Sequence, residues 1–279
     1  MPRSPSTSLP VLALTLWALL TLMACQTPDP ATRPDASASP DTTEAARLAQ
    51  TIIDATIDTH GGDGYTDTQI DFVFRDHAFQ IEHRGAQYAY TRTRTDPSGE
   101  IVRDVLSNDG LTRTVGGQAV SLDAGQTERI MTAVNSVPYF VLLPYRLNDP
   151  AVQKTYTGTA MIDGESYHQI EVTFREEGGG EDFDDVYMYW IHPERETMDY
   201  LAYTFHESDE GHGSRFRKAV NVRTVGGLRF ADYINYAADW SHIDGDLTRY
   251  PALFNAGTLD TFSVIQTEQI AVTPLETAL

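Results

Sequence analysis

Between Glu165 and Tyr236 apolar and polar residues alternate with a period of two, run after run, with turn-forming residues between the runs. Ile170, Val172 and Phe174 alternate with Gln169, Glu171, Thr173 and Arg175, which places one row of side chains on each face of an extended strand. Within Val186–His192, Val186, Met188 and Trp190 alternate with Tyr187, Tyr189 and Ile191, and Tyr200–His206, Phe216–Thr224 and Leu228–Tyr236 follow. Gly178-Gly179-Gly180, Pro193-Glu194, Asp209-Glu210-Gly211 and Gly226-Gly227 supply the backbone freedom that tight reversals need. Neighbouring strands joined this way pair antiparallel, so the stretch predicts a five-stranded meander.

The rest of the chain is organised around that sheet. Six shorter strands are expected at Ile70–Arg75, Ala78–His83, Gln87–Thr95, Ile101–Leu106, Leu111–Val115 and Ala119–Leu122, separated by Asp96-Pro97-Ser98-Gly99, Asn108-Asp109-Gly110 and Gly116-Gly117. A helix over Ala45–Thr59, capped by Thr42 or Thr43 and stopped by Gly61 and Gly62, has Leu48, Ile52, Ala55 and Ile57 near helical spacing. A second helix begins after Asp123, carries Ile130, Val134 and Val137 along one face, and is interrupted at Pro138. The apolar run Tyr139–Pro144 reads as a buried helix end, because large apolar patches are uncommon in water. Pro251–Gly257 forms a short helical turn and Leu259–Val272 returns as closing strands. The expected fold class is mainly β (α+β), an antiparallel sheet with two principal helices covering one face. At 279 residues and 41% hydrophobic content, residues 41–279 suffice for a single domain.

Residues 1–24 are excluded from that domain as a lipoprotein signal peptide. Arg3 opens a weakly positive start, Val11–Met23 is an apolar run too short to favour a membrane span, and Ala24 precedes Cys25, the sole cysteine. Leu22-Met23-Ala24-Cys25 resembles a bacterial lipobox, in which the cysteine becomes the lipidated first residue of the mature protein. Gln26 after it lacks the aspartate associated with retention at the inner membrane, so the expected location is the outer membrane of the cell envelope, through a lipid anchor. Gln26–Pro40, rich in Pro, Asp, Ala, Ser and Thr, forms a solvated tether.

The formal charge of −20 argues against nucleic acid as a partner, since a polyanion is held by Lys and Arg and would be repelled here. No Gly-x-Ser-x-Gly elbow or other nucleophile signature is present, Cys25 is committed to lipid, and Lys154 and Lys218 are the only lysines. No cofactor signature is read, and the expected role is binding rather than catalysis. Two clusters could take a metal. His206, Asp209 and His212 have a donor set that suits zinc, the basis for a metal-assisted hydrolase. Glu177, Glu181, Asp182, Asp184 and Asp185 offer oxygen ligands to calcium, although an acidic hairpin in water accounts for them equally. Arg92 and Arg94 share one strand face, as do Arg215, Arg217 and Arg223, and either set could hold an anionic group through forked hydrogen bonds.

Several blocks together resemble an uncharacterised family of bacterial lipoproteins: Ile101–Leu106, Asn135–Phe140 through Leu147–Pro150, Glu177–Gly180, Tyr189-Trp190, Asp199–Tyr203 and Arg229–Tyr236. The resemblance covers nearly all of the mature chain and implies a distant similarity to the LolA/LolB-like lipoprotein-carrier superfamily. In that superfamily a strongly curved antiparallel sheet forms a half-barrel closed by helices over an apolar cavity. Transport activity does not follow from such a fold. What the resemblance implies is a hydrophobic ligand, an acyl chain or lipoprotein lipid, held between sheet and helices. Leu48 and Ile52 would then form a lid, Ile130 and Val134 would contribute from the second helix, and Val186, Met188 and Trp190 would line the sheet side. The alternative is a structural or protein-interaction lipoprotein whose core is filled.

Replacing Cys25 tests the anchor. Cys25→Ser is expected to leave the protein unlipidated and to release it from membranes, measured by fractionation after a salt wash; a mutant that stays in the membrane pellet rules the lipobox out.

Overall fold

The structure, a computed structural model, describes residues 40–177, 184–207 and 211–276. The leader, Cys25 and the tether up to residue 39 lie outside them. Helix α1 (Pro40–His60) buries Ala49, Ile53, Thr56 and His60, spaced three or four apart along one stripe. The sequence spacing pointed to Leu48, Ile52, Ala55 and Ile57. Of these only Ile57 is buried, because the buried stripe is centred one residue further on. It takes in a polar residue, Thr56, whose hydroxyl donates to the Ile52 carbonyl at 2.8 Å. The helix ends at Gly61, whose φ of +145° and close approach to Leu228 leave no room for a side chain.

Six strands follow: β1 (Thr68–Phe74), β2 (His77–Arg84), β3 (Gln87–Thr95), β4 (Ile101–Ser107), β5 (Gly110–Val115) and β6 (Gln118–Ala119). Helix α2 (Ala124–Val141) opens on a capping box, with Gln126 N–H donating to Asp123 at 2.8 Å and Asp123 N–H donating to the Gln126 side chain at 3.1 Å. Pro138 does not interrupt it, contrary to the sequence reading. The proline costs the helix the one bond its missing N–H would make to the preceding turn, but it is itself buried, and its carbonyl accepts from Leu142 N–H at 2.9 Å, so the helix continues through it to Val141.

The second half contains β7 (Val152–Ile162), β8 (Glu165–Phe174), β9 (Tyr187–Ile191), β10 (Met198–Glu207), β11 (Gly211–Val225) and β12 (Leu228–Ala237). After them come the short helices α3 (Trp240–Ile243) and α4 (Tyr250–Asn255), and then β13 (Asp260–Ile265) and β14 (Glu268–Pro274). The meander is antiparallel throughout, as the alternation predicts. The strands divide into two seven-stranded antiparallel sheets, neither closed on itself, ordered β14-β1-β2-β3-β4-β5-β6 and β13-β12-β11-β10-β9-β8-β7. The closing strands therefore separate, one to each sheet. Their junction is pinned: Thr267 N–H donates to Asp232 at 3.2 Å, and Arg223 pairs with Asp232 at 3.0 Å while also donating to the Thr267 carbonyl.

The first sheet packs Ile70, Phe72, Phe79, Ile81, Tyr90 and Leu106 against Ile130 and Val134 of α2. The second sheet is covered on both faces. One face, with Ile170, Val172, Tyr189, Ile191 and Leu201, lies under Ala49, Ile53 and Ile57 of α1 and the segment after α2. The other, with Tyr167, Met188, Trp190, Tyr200 and Phe216, lies under Ile243, Leu247 and Tyr250.

Within the first sheet an ionic row crosses three strands. Asp104 on β4 faces Arg92 on β3 and Arg113 on β5 in register, and it accepts from them at 2.9 Å and 2.6 Å with its own side chain fully buried. Burial raises the Asp104 pKa, but the hydrogen bonds and charges of Arg113 and Arg92 outweigh it, leaving the group below its ordinary 3.8. A carboxylate depressed on folding contributes stability that is full above its unfolded pKa and is lost as pH falls through the folded value. Asp104→Asn is therefore expected to cost about 3–5 kcal/mol at pH 7, because it leaves two largely buried guanidiniums without a counter-charge. Urea unfolding at pH 7 and below pH 3 measures this: the gap to the parent protein should be large at the first and narrow at the second.

Candidate functional site

The second sheet presents a row of side chains on its α1-facing side that follows directly from strand register. Tyr189 on β9 is opposite Leu201 on β10, and Leu201 is opposite Arg217 on β11. Tyr187 and Tyr203 form the next pair along the same face, their rings stacked at 5.7 Å. Above this row the end of α2 supplies Tyr139 and Phe140, and the following segment supplies Leu143, Arg146, Asp149 and Ala151. The β1–β2 turn adds Phe74 and Arg75. Between them is a cavity of about 410 Å³. Its walls are aromatic: Tyr139 meets Phe174 edge-on at 6.2 Å, Phe174 meets Tyr187 at 5.6 Å, and Phe140 packs against Tyr233 at 5.1 Å.

The polar groups on this wall fall into two kinds. Arg146 is engaged through Nε and Nη1, donating to Asp149 at 2.6 Å and to the Tyr90 hydroxyl at 2.7 Å, with its guanidinium 5.0 Å from the Tyr139 ring. Arg217 lies 4.6 Å from the Phe140 ring and 4.8 Å from the Tyr203 ring and donates to the Tyr203 hydroxyl at 2.8 Å. Its Nε is buried with no hydrogen-bond partner, and it has no carboxylate within 4.0 Å, among the described residues. The hydroxyls of Tyr139 and Tyr189 are likewise buried and unpartnered among the described residues. Of seven such side-chain atoms among the described residues, three belong to residues that line this cavity, each atom enclosed just behind the wall. Burial drives the pKa of both phenols upward, reinforced at Tyr139 by Asp149 and at Tyr189 by neighbouring phenols, so both remain neutral hydrogen-bond donors.

The residues expected to line a ligand site are elsewhere. Val186, Met188 and Trp190 do share one face, but it is the face under α3 and α4, where the Trp190 indole donates to Gln169 at 3.0 Å. Ile130 and Val134 pack on the first sheet. Leu48 and Ile52 flank the buried stripe of α1, and α1 contributes no residue to the cavity wall, so the covering role falls to the end of α2. Of the five arginines that the sequence singled out, Arg92 is held by Asp104, Arg223 by Asp232, Arg215 lies over Phe205 and Phe262, and Arg94 is on the first sheet away from the cavity wall, which leaves Arg217 lining the cavity. The tyrosines were not singled out as site residues. Their signal is the use of Tyr rather than Phe at 187, 189 and 203 on a face turned to the core, where each hydroxyl then needs a partner.

The two metal candidates meet in part. His206 Nδ1 is 3.6 Å from Asp185 and 3.8 Å from Asp184, and the three donor atoms lie within 4.8 Å of one another. His212 packs edge-on against His206 at 4.3 Å and stacks on Trp240 at 5.3 Å. Asp209, Glu181 and Asp182 lie outside the described residues. This set combines nitrogen and oxygen donors of the kind zinc accepts, and a surface imidazole–carboxylate pair accounts for it equally, since His206 and Asp184 are both about half exposed.

The model of a family of unknown function, DUF6503, matches residues 44–267. No curated protein matches the sequence. Among solved structures the chain is similar to a LolA superfamily protein from Nitrosomonas europaea, at 11% identity and a TM-score of 0.45, covering 83% of this chain and 94% of that one. It is also similar to a domain named for outer membrane lipoprotein sorting from Vibrio parahaemolyticus, at 10% identity and 0.38, covering 68% and 86%. A third is lipoprotein LppX from Mycobacterium tuberculosis, at 13% identity and 0.25, covering 55% and 87%. The resemblance to an uncharacterised family read from the sequence agrees with the family match. No helix among the described residues is long and apolar enough to cross a membrane.

An unpartnered buried hydroxyl costs folding stability, about 1–3 kcal/mol in typical cases. Tyr189→Phe is accordingly expected to stabilise the protein by about 1 kcal/mol, the pattern of a site kept for function rather than stability. A denaturant midpoint below that of the parent chain would show that the hydroxyl is satisfied in the fold.

Proposed function

This chain belongs to the DUF6503 family, and we propose that it is a lipid-anchored envelope protein that binds a small hydrophobic molecule, such as an acyl chain, in the cavity between α2 and the second sheet. The observation that carries the reading is the cavity itself. Its volume of about 410 Å³ lies within the range of roughly 300–1,000 Å³ over which proteins hold small ligands, with mostly apolar walls and a few placed polar groups. A core filled to ordinary density, the structural alternative, has no space of this size. Burying about ten methylenes there releases about 8 kcal/mol of gross hydrophobic free energy, enough to exceed an association cost of about 4 kcal/mol at the low end of its range. Attachment through Cys25 would hold the site at the membrane surface, where such molecules are found, with residues up to 40 as the tether.

Native mass spectrometry of the mature Cys25→Ser chain, after exposure to an envelope lipid extract, tests this directly. One acyl-bearing molecule per chain is the expected result. Leu201→Trp, which fills the cavity from the sheet side, should lower retention sharply, whereas Trp190→Phe on the opposite face should leave it unchanged. A folded parent chain that retains nothing refutes the proposal.

A further inference from the structure

We infer that the occupant of this cavity is an amphiphile with a single negative charge, a carboxylate at the end of one acyl chain, and that Arg217 reads that charge with the Tyr139 and Tyr189 hydroxyls as neutral donors beside it. The inference rests on the binding role proposed above and names the chemistry of its ligand. Three facts lead to it. The cavity wall carries Arg75, Arg146 and Arg217 against the single acid Asp149, in a chain whose formal charge is −20. Arg146 and Asp149 neutralise each other at 2.6 Å, which leaves the positive charge at exposed Arg75 and at Arg217. The wall residues Arg217, Tyr139 and Tyr189 each carry an enclosed polar atom without a partner among the described residues, Nε and the two hydroxyls, and all three can donate.

Donors without acceptors select a ligand group that accepts. An alcohol or amide would offer fewer lone pairs and no charge, whereas a carboxylate accepts at both oxygens and forms the short charge-assisted bonds that a planar guanidinium favours. The one guanidinium deep in the cavity balances one charge, so a monoanion fits and a phosphomonoester dianion does not. Phe140 and Tyr203 hold the Arg217 plane through their ring faces, and the Tyr203 hydroxyl takes Nη2, so the enclosed Nε is the unused donor that a shift of the side chain toward the cavity would bring to the ligand. The neighbouring Leu201 and aromatic rings receive the chain.

The test compares three probes on the mature Cys25→Ser chain: palmitate, methyl palmitate and 1-palmitoyl lysophosphatidylglycerol, with affinities from calorimetric titration. Palmitate should bind about tenfold or more tighter than its methyl ester, as a charge-assisted hydrogen bond implies. Arg217→Met should bring palmitate to the affinity of the ester while leaving the ester unchanged. Tyr139→Phe combined with Tyr189→Phe should lower palmitate selectively, and this pair supplies the same readout should Arg217→Met fail to fold. Equal binding of palmitate and ester by the parent chain, or an undiminished preference in folded Arg217→Met, overturns the carboxylate inference while the cavity's binding role stands. Tighter binding of the lysophospholipid assigns the site to a phosphodiester and overturns it too. Failure of all three probes removes the binding role and this inference with it.

Discussion

The second sheet is buried on both faces, and most of what is distinctive about this domain depends on that. Along β9 the residues Met188, Tyr189, Trp190 and Ile191 are all buried, so the usual division into a wet and a dry face disappears. What separates the two rows is the cover each receives: α1 and the end of α2 over Tyr189 and Ile191, α3 and α4 over Met188 and Trp190. A slip of one residue would exchange the Tyr189 phenol for the Trp190 indole at the cavity wall. A buried polar chain guards against that slip. Trp190 donates to Gln169 at 3.0 Å, and Gln169 donates to Thr157 at 3.0 Å, tying three adjacent strands at one level. Such a chain rewards one register and penalises the others, because any shift strands its members without partners.

This explains where sequence reading succeeds and where it stops. Alternation marks the strands well, since period two is a property of the backbone itself. It does not say which row meets which cover when both rows are apolar, and Trp190, the largest side chain of the meander, drew the expected lining to the face opposite the cavity. The arginines show a related limit. Arg92, Arg217 and Arg223 look alike in sequence, and their fates diverge because Asp104 faces Arg92 in register, while a register shift between Val220 and Arg223 lets Arg223 reach Asp232 diagonally. Pro138 misleads for a simpler reason: a proline removes one hydrogen bond from a helix, and α2 continues past its buried ring to Val141. The covering elements, by contrast, were legible as elements, and what could not be read was which sheet each would serve.

The distribution of charge gives the cavity a character opposite to that of the protein around it. An acidic exterior repels anions in general, so a monoanionic amphiphile gains nothing by lying on the outer surface. On its wall, exposed Arg75 and half-buried Arg217 reverse the sign over a short distance. Under the proposed binding role, discrimination would come from both directions, with repulsion almost everywhere and attraction at one place. The apolar lining adds affinity without adding selectivity among chains of similar length.

The separation of the last two strands also bears on how the chain reaches this state. Strand β14 belongs beside β1, and Thr68 accordingly contacts Thr273 across 205 positions of sequence. The first sheet is thus left with an open edge at β1 until almost the final residue has been made. Contacts this distant in sequence form late, because the entropy of closing so long a loop must be met before any pairing repays it. During synthesis the first sheet therefore keeps β1 as an unpaired edge until β14 has been made.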